Sequence, residues 1–141
     1  MGHDTEFRTY QSGDEDGVLA LWSDVFPDKT AWNAPKAVIS RKRAVQPEFF
    51  YVATVERRVV GTIMAGYDGV RGWIHRLAVH PDHRRKGLAS QLMHKAEHGL
   101  MDIGCPKLNL QVRASNMEVV QFYRALGYMV EERLSLGKPL V

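Results

Sequence analysis

Between residues 73 and 112 the hydrophobic pattern changes period twice, and no other feature restricts the fold as much. "WIHRLAVH" (73–80) reads as a strand, ended by Pro81, which cannot donate to a central ladder. From Gly87 onward Leu88, Leu92, Ala96 and Leu100 recur at every fourth position, one face of a helix running to about Ile103. After the break "GCP", "KLNLQV" (107–112) returns to period two. Leu108, Leu110 and Val112 lie on one face, Asn109 and Gln111 on the other. A strand, a helix of about four turns and a second strand form a right-handed βαβ unit whose strands run parallel. The chain is therefore expected to be α/β.

Upstream, the pattern is that of an antiparallel sheet entered through helices. "EFRTYQ" reads as a short first strand. "DEDGVLALWSDVF" sets Val18, Leu19, Leu21, Trp22, Val25 and Phe26 on a helical stripe, with acidic residues in its first turn and Pro27 as its stop. "PKAVISRKRAV" is a more polar helix opened by Pro35. "FFYVATVE" and "VVGTIMAGY", separated by a polar "RR", read as a hairpin, and Asp68-Gly69 turns the chain into the strand at 73. Downstream, "NMEVVQFYRAL" is a helix capped by Asn116 and stopped by Gly127, while "YMVEER" and "LSLGKPL" are expected to close the sheet. No repeat, low-complexity tract or linker interrupts residues 1–141, so a single domain is expected.

Composition removes several function classes. A chain of 141 residues, 45% hydrophobic and 25% charged, suits a globular domain with its own core. No apolar run reaches the length of a membrane span and the N-terminus lacks an apolar signal core, so a cytoplasmic protein without a membrane partner is expected. The single Cys105 excludes an internal disulfide and a multi-cysteine metal site. His94 and His98 stand four apart on a helix but lack the Glu of H-E-x-x-H, and His80 and His83 complete no set; no metal is expected. A net charge of +3 suits an anionic ligand, and without a recognition motif or interleaved aromatics it does not point to nucleic acid.

The position of the charge is more telling than its sum. Arg84, Arg85 and Lys86 directly precede Gly87, at the end of the long helix where free N–H groups and the helix dipole already make the field positive. An anion seated there would account for the accumulation. Neither G-x-x-x-x-G-K-[ST] nor G-x-G-x-x-G is present, yet Gly87 and the small Ala89 let a bulky anion approach the backbone. A solvated basic turn would use the same residues.

The stretch "RLAVHPDHRRKGLASQLMHKAE" resembles the cofactor-binding motif of the GNAT N-acetyltransferases, R/Q-x-x-G-x-G/A after a strand ending L-A-V-x-P. "LQVRASNMEVVQFYRALGY" looks like the family's later strand, Asn-containing turn and Asn-to-Tyr helix, so the likeness covers nearly the whole chain. "AWNAP", "GYDGVRG", "GCPK" and "LSLGK" are similar to the bacterial YpeA-type branch. The resemblance implies the GNAT fold: a mixed, mostly antiparallel sheet of about six to seven strands, with a splayed parallel pair near 73–79 and 107–112 and about four helices. It also implies acetyl-CoA as co-substrate. Backbone groups of Leu77, Ala78 and Val79 would then meet the pantetheine arm like an added strand. Amides of Arg85, Lys86, Gly87, Leu88, Ala89 and Ser90 would hold the pyrophosphate, with charge-assisted contacts from the basic side chains, Arg84 included. Asn116 would contact the CoA arm, a role compatible with capping. The Val79 amide is the expected oxyanion donor, and Tyr123, seven residues after Asn116, the general acid for the leaving thiolate, unless it is core packing alone.

The base is where the resemblance departs. An alkylammonium must lose a proton before attack, at a cost of roughly 4 kcal/mol at pH 7. Relatives that acetylate ribosomal-protein N-termini carry Glu where Gln111 stands, and histone-type members carry Glu where Trp73 stands. His75, on the same strand face as Trp73, is the available replacement; a packed, hydrogen-bonded histidine is the alternative, with water taking the proton. Trp32, Trp73, Asn109 and Gln111 are candidates for the acceptor side, which Phe26 would also help to shape, whereas Trp22 sits at core spacing. The expected activity is direct transfer of acetyl to a primary amine in a ternary complex. A catalytically silent acyl-CoA-binding regulatory module is the alternative, and a homodimer is compatible with related folds.

Overall fold

The computed structural model describes residues 4–26 and 30–141; Pro27, the expected helix stop, lies outside them. Its contacts gather into two compact units, Met1–Asn109 and Leu110–Val141. The described elements run β1 (Thr5–Thr9), α1 (Glu15–Val25), α2 (Pro35–Ala44), β2 (Phe50–Val55), β3 (Arg58–Tyr67), β4 (Gly72–Val79), α3 (Leu88–Asp102), β5 (Leu108–Leu110) and α4 (Glu118–Ala125), with short 3-10 turns between some of them. The five strands form one sheet in the order β1-β2-β3-β4-β5. Successive pairs among the first four are antiparallel, and β5 lies parallel to β4. This is the α/β architecture that the resemblance implied, with five strands among the described residues rather than six to seven.

The missing strands are those expected at "YMVEER" and "LSLGKPL": residues 128–141 carry no strand. Gly137 and Pro139 explain the second, since a glycine weakens a ladder and a proline removes a donor from it. Leu134, Leu136 and Leu140 stay exposed. β5 is also shorter than the expected 107–112.

Local chemistry accounts for the turns. The β2–β3 hairpin turns at Glu56 and Arg57, both left-handed (φ 50° and 68°), as a two-residue loop between twisted strands requires. At the β3–β4 turn the Asp68 carboxylate accepts from the N–H groups of Val70 and Arg71 at 2.8 and 2.9 Å. Beyond the pair Phe50↔Met64, β3 outruns β2, and side chains stand in for the lost strand. Gln46 accepts the Tyr67 N–H at 2.7 Å and donates to its carbonyl at 2.9 Å, and Lys42 Nζ donates to the Ala65 carbonyl at 2.5 Å.

Each face of the sheet carries helices. On one, Val18, Leu21 and Trp22 of α1 and Ile39 of α2 pack with Phe50, Val52, Met64 and Ala78. On the other, α3 buries Leu88, Leu92, Met93, Ala96 and Leu100, each large apolar side chain contributing ~1.5–3 kcal/mol. Two glycines set how closely α3 approaches. A Cβ on Gly61 would stand 3.0 Å from Leu92, and one on Gly99 would stand 2.3 Å from the Tyr51 hydroxyl and 3.3 Å from the Phe49 ring.

Candidate active site

β4 is broken near its middle. Thr62 pairs with Ala78 but Met64 with His75, so Ile63 alone faces two residues, Arg76 and Leu77. Arg76 takes the left-handed conformation (φ 55°) that such a bulge demands. A buried chain of hydrogen bonds holds it there: Trp22 Nε1–H donates to Thr62 Oγ1 at 2.8 Å, and the Thr62 hydroxyl donates to the Arg76 carbonyl at 2.9 Å. The Arg76 guanidinium lies over the rings of Trp22 (4.7 Å) and Phe26 (5.0 Å) and donates to the Asn33 carbonyl at 2.8 Å.

The bulge decides which amides beyond it are available. The His80 N–H bonds the Val60 carbonyl at 2.8 Å. In an antiparallel ladder the next residue back must turn its N–H and C=O to the other side, so the Val79 amide points away from β3. Ala78, paired with Thr62, directs its carbonyl toward Gly61 on β3. Of the three residues expected to offer backbone groups together, Ala78 is therefore turned inward.

After Val79 the chain makes a 3-10 turn (Pro81–His83), in which His80 Nδ1 accepts the Asp82 N–H at 3.1 Å, and then reaches the basic residues. Arg84 folds back, Nε donating to the Val79 carbonyl at 3.2 Å. Arg85 (φ 64°) and Gly87 (φ 77°) are both left-handed, a geometry that turns successive N–H groups to one side. The first bond of α3 runs from the Gln91 N–H to the Gly87 carbonyl at 3.1 Å, so the N–H groups of Leu88, Ala89 and Ser90 have no carbonyl within the helix. No acidic residue occupies the first turn, and no side chain caps it. Arg85, Lys86 and Gly87 are exposed. This donor set fits a diphosphate.

On the face covered by α1 and α2, Trp73 stands opposite Gly66 and His75 opposite Met64. The imidazole of His75 keeps contact with solvent, yet desolvation by the surrounding protein, then the charges of Lys42 and Arg76, hold its pKa below the ordinary value. Trp32 rides on a 3-10 turn (Ala31–Asn33) and remains 48% exposed. Arg41 donates to its carbonyl while Arg76 holds the next one. Arg41, Lys42, Thr62 and Arg76 were not singled out by sequence; the run Arg41-Lys42-Arg43 in a helix without acids was the one visible signal. Asn109 is half-buried.

In the second unit, Tyr123 lies on α4 with its ring edge-on to Phe122 (5.0 Å) and Tyr128 (6.0 Å). Burial raises its pKa, which keeps the phenol protonated, as an acid must be. Gln111 donates to the Ser135 hydroxyl. Asn116 is not the cap that was expected: Met117 holds the cap position without a side-chain bond, while the Asn116 carbonyl accepts the Val119 N–H at 3.3 Å and its side chain is exposed. Gly127 does stop the helix, at φ 98°. Cys105 donates to the Lys107 carbonyl, a local role. Among the described residues no three His, Cys, Asp or Glu side chains gather as a metal site, and no helix is long and apolar enough to cross a membrane.

The model of the acetyltransferase (GNAT) family matches residues 15–128. The chain belongs to that family. A Yersinia pestis (strain Pestoides F) protein named acetyltransferase is 41% identical over 138 residues, 96% of each chain, and one from Sodalis glossinidius is 42% identical over 139 residues, again 96% of each. Among solved structures, Ard1 from Thermoplasma volcanium superposes with a TM-score of 0.81 at 25% identity, covering 90% of this chain and 84% of that one. An aminoglycoside N-acetyltransferase in complex with CoA gives 0.80 at 16% identity, covering 100% and 98%, a likeness of fold alone. Within this GNAT chain the motif residues Arg84 to Gly87 lie in the β4–α3 turn described above, and Leu88 and Ala89 open α3.

Proposed function

We propose that this GNAT protein moves an acetyl group from acetyl-CoA to a primary amine by direct attack in a ternary complex. The observation that carries the reading is the pairing of two backbone features on one strand–turn–helix unit: an outward Val79 amide, and free N–H groups at the start of α3. Bound acetyl-CoA supplies an activated acyl group and a thiolate leaving group. The amides of Arg85, Lys86, Gly87, Leu88, Ala89 and Ser90 hold its diphosphate, with the Arg85 and Lys86 side chains adding charge. Leu77 and Val79 bind the pantetheine arm, and Asn116 contacts it. The Val79 N–H steadies negative charge growing on the acyl oxygen. Tyr123 returns a proton to the departing sulfur. His75, kept neutral by its surroundings, accepts one from the amine.

Acetyl-CoA should raise the melting temperature, and thiol release across an amine panel should follow. Tyr123→Phe should then lower kcat by about 100-fold with little change in CoA affinity; an unchanged rate would remove Tyr123 as the acid. The neutral residues Trp73 and Gln111, where related enzymes carry Glu, favour one second reading, a silent acyl-CoA-binding module. That reading requires the thermal shift without any thiol release.

A further inference from the structure

We propose that this protein carries a second ligand site, between α1 and the β2–β3 hairpin, for a small free aminocarboxylate whose carboxylate meets Arg57 and Arg58 and whose ammonium meets Asp24. The site goes beyond the transferase reading and does not depend on it. A cavity of about 330 Å³ lies there, within the ~300–1,000 Å³ of small-molecule sites. Its α1 wall is made of small residues, since Gly17 and Ala20 share a helical stripe with Asp24. A Cβ on Gly17 would stand 3.0 Å from Val59, so the glycine lets the helix close onto the hairpin. A Cβ on Gly13 would meet nothing within 4 Å, and that end stays open. Leu21 and Val59 add an apolar lining that suits an aliphatic spacer between two charges.

The charges that line the cavity are of both signs and come from different elements. Asp14 is already matched: its carboxylate accepts from Arg8 at 2.8 and 2.9 Å and from the Gln11 N–H at 2.8 Å. Asp24, Arg57 and Arg58 are exposed, and among the described residues they enter no ion pair. Asp24 stands in the last turn of α1, where the helix dipole is negative and no basic residue answers it. An ammonium there offsets two contributions of the same sign. Arg57 and Arg58 are neighbours at the hairpin tip, like charges that one carboxylate serves together, because guanidinium groups grip it through paired N–H donors. A ligand carrying both charges satisfies both walls, whereas an ion of one sign leaves the other wall as it was. His80 ties the site to the turn into α3. It lines the cavity, its N–H holds the Val60 carbonyl at 2.8 Å, and its Nδ1 accepts the Asp82 N–H at 3.1 Å. An occupied site braces the residue from which the basic turn departs, a regulatory position that rests on the CoA reading of that turn.

The test titrates the full chain by calorimetry, without acetyl-CoA so that no turnover consumes the amine. The probes are glycine, 4-aminobutanoate, 6-aminohexanoate, hexanoate and hexylamine. At least one aminocarboxylate should bind tenfold or more tightly than hexanoate and hexylamine, and added salt should narrow the gap. Arg57→Gln and Asp24→Asn, exposed changes that spare the core, should each shrink that preference at least threefold with thermal melts unchanged. Binding of no aminocarboxylate, or equal binding of the singly charged probes, overturns the inference. So does a preference that survives both variants, which would place the ligand elsewhere. CoA titrated into protein saturated with the tightest probe should show a Kd shifted at least twofold. An unshifted Kd overturns the regulatory position alone, and CoA that does not bind at all counts against the transferase reading and not against this site.

Discussion

The two halves of β4, on either side of the bulge at Arg76, are made for different work. Beyond the bulge, Val79 and the turn into α3 present main-chain N–H groups, and chemistry built from the backbone needs little of the side chains except smallness at Gly87. Before it, Trp73 and His75 stand opposite Gly66 and Met64 of β3, the charge of Lys42 on α2 reaches the imidazole, and in the proposed reaction it is the side chains that would serve. In the proposed reaction, cofactor recognition would rest on one half and acceptor recognition on the other. The joint between them is the Trp22–Thr62–Arg76 chain.

Breaking that joint should have the largest effect. Thr62→Val keeps the shape but strands the Trp22 Nε1–H and removes the donor to the Arg76 carbonyl, which should cost about 3 kcal/mol in a denaturant melt and degrade both halves together. Loss of acetyl-CoA binding without loss of stability would contradict the idea of a joint. Gly87→Ala addresses the backbone half alone. A Cβ there meets no atom within 4 Å, so its penalty is conformational, about 1–2 kcal/mol for a left-handed alanine. CoA should bind roughly tenfold more weakly by calorimetry, with the KM for amine unchanged. His75→Gln addresses the side-chain half and should lower kcat only several-fold. In the parent protein kcat/KM should fall as pH drops through a value below the ordinary imidazole pKa of about 6.5, because burial, then the charges of Lys42 and Arg76, favour the neutral ring. The variant should lose that limb; a limb that persists assigns the proton to water or to another group.

The same division governs what the sequence disclosed. The βαβ unit, the Asp68-Gly69 turn, Pro35 at the start of α2 and the glycine at the α3 cap were all legible, because each follows from local pattern or from one residue's backbone preference. The bulge was not. Nothing in the residue type of Arg76 announces a left-handed arginine; its conformation is imposed by tertiary bonds from α1 and β3. Gln46 and Lys42 standing in for a strand were hidden for the same reason, since partners 21 and 23 residues away leave no periodic trace. The closing strands read from "YMVEER" and "LSLGKPL" failed where apolar alternation outweighed Gly137 and Pro139. Asn116 shows how a good capping residue one place too early leaves the cap to its neighbour.

Gly99 has a consequence at a distance. Lacking a side chain, it lets the helix rest against the tyrosine hydroxyl at one place along its length, and any sliding would drive His98 or Leu100 into that slot. At 1.5 Å per residue this stop lies about 18 Å from Gly87. A larger residue at this stop should therefore push the whole of α3 against its seat on the sheet, with the shift felt as far away as the N-terminal turn.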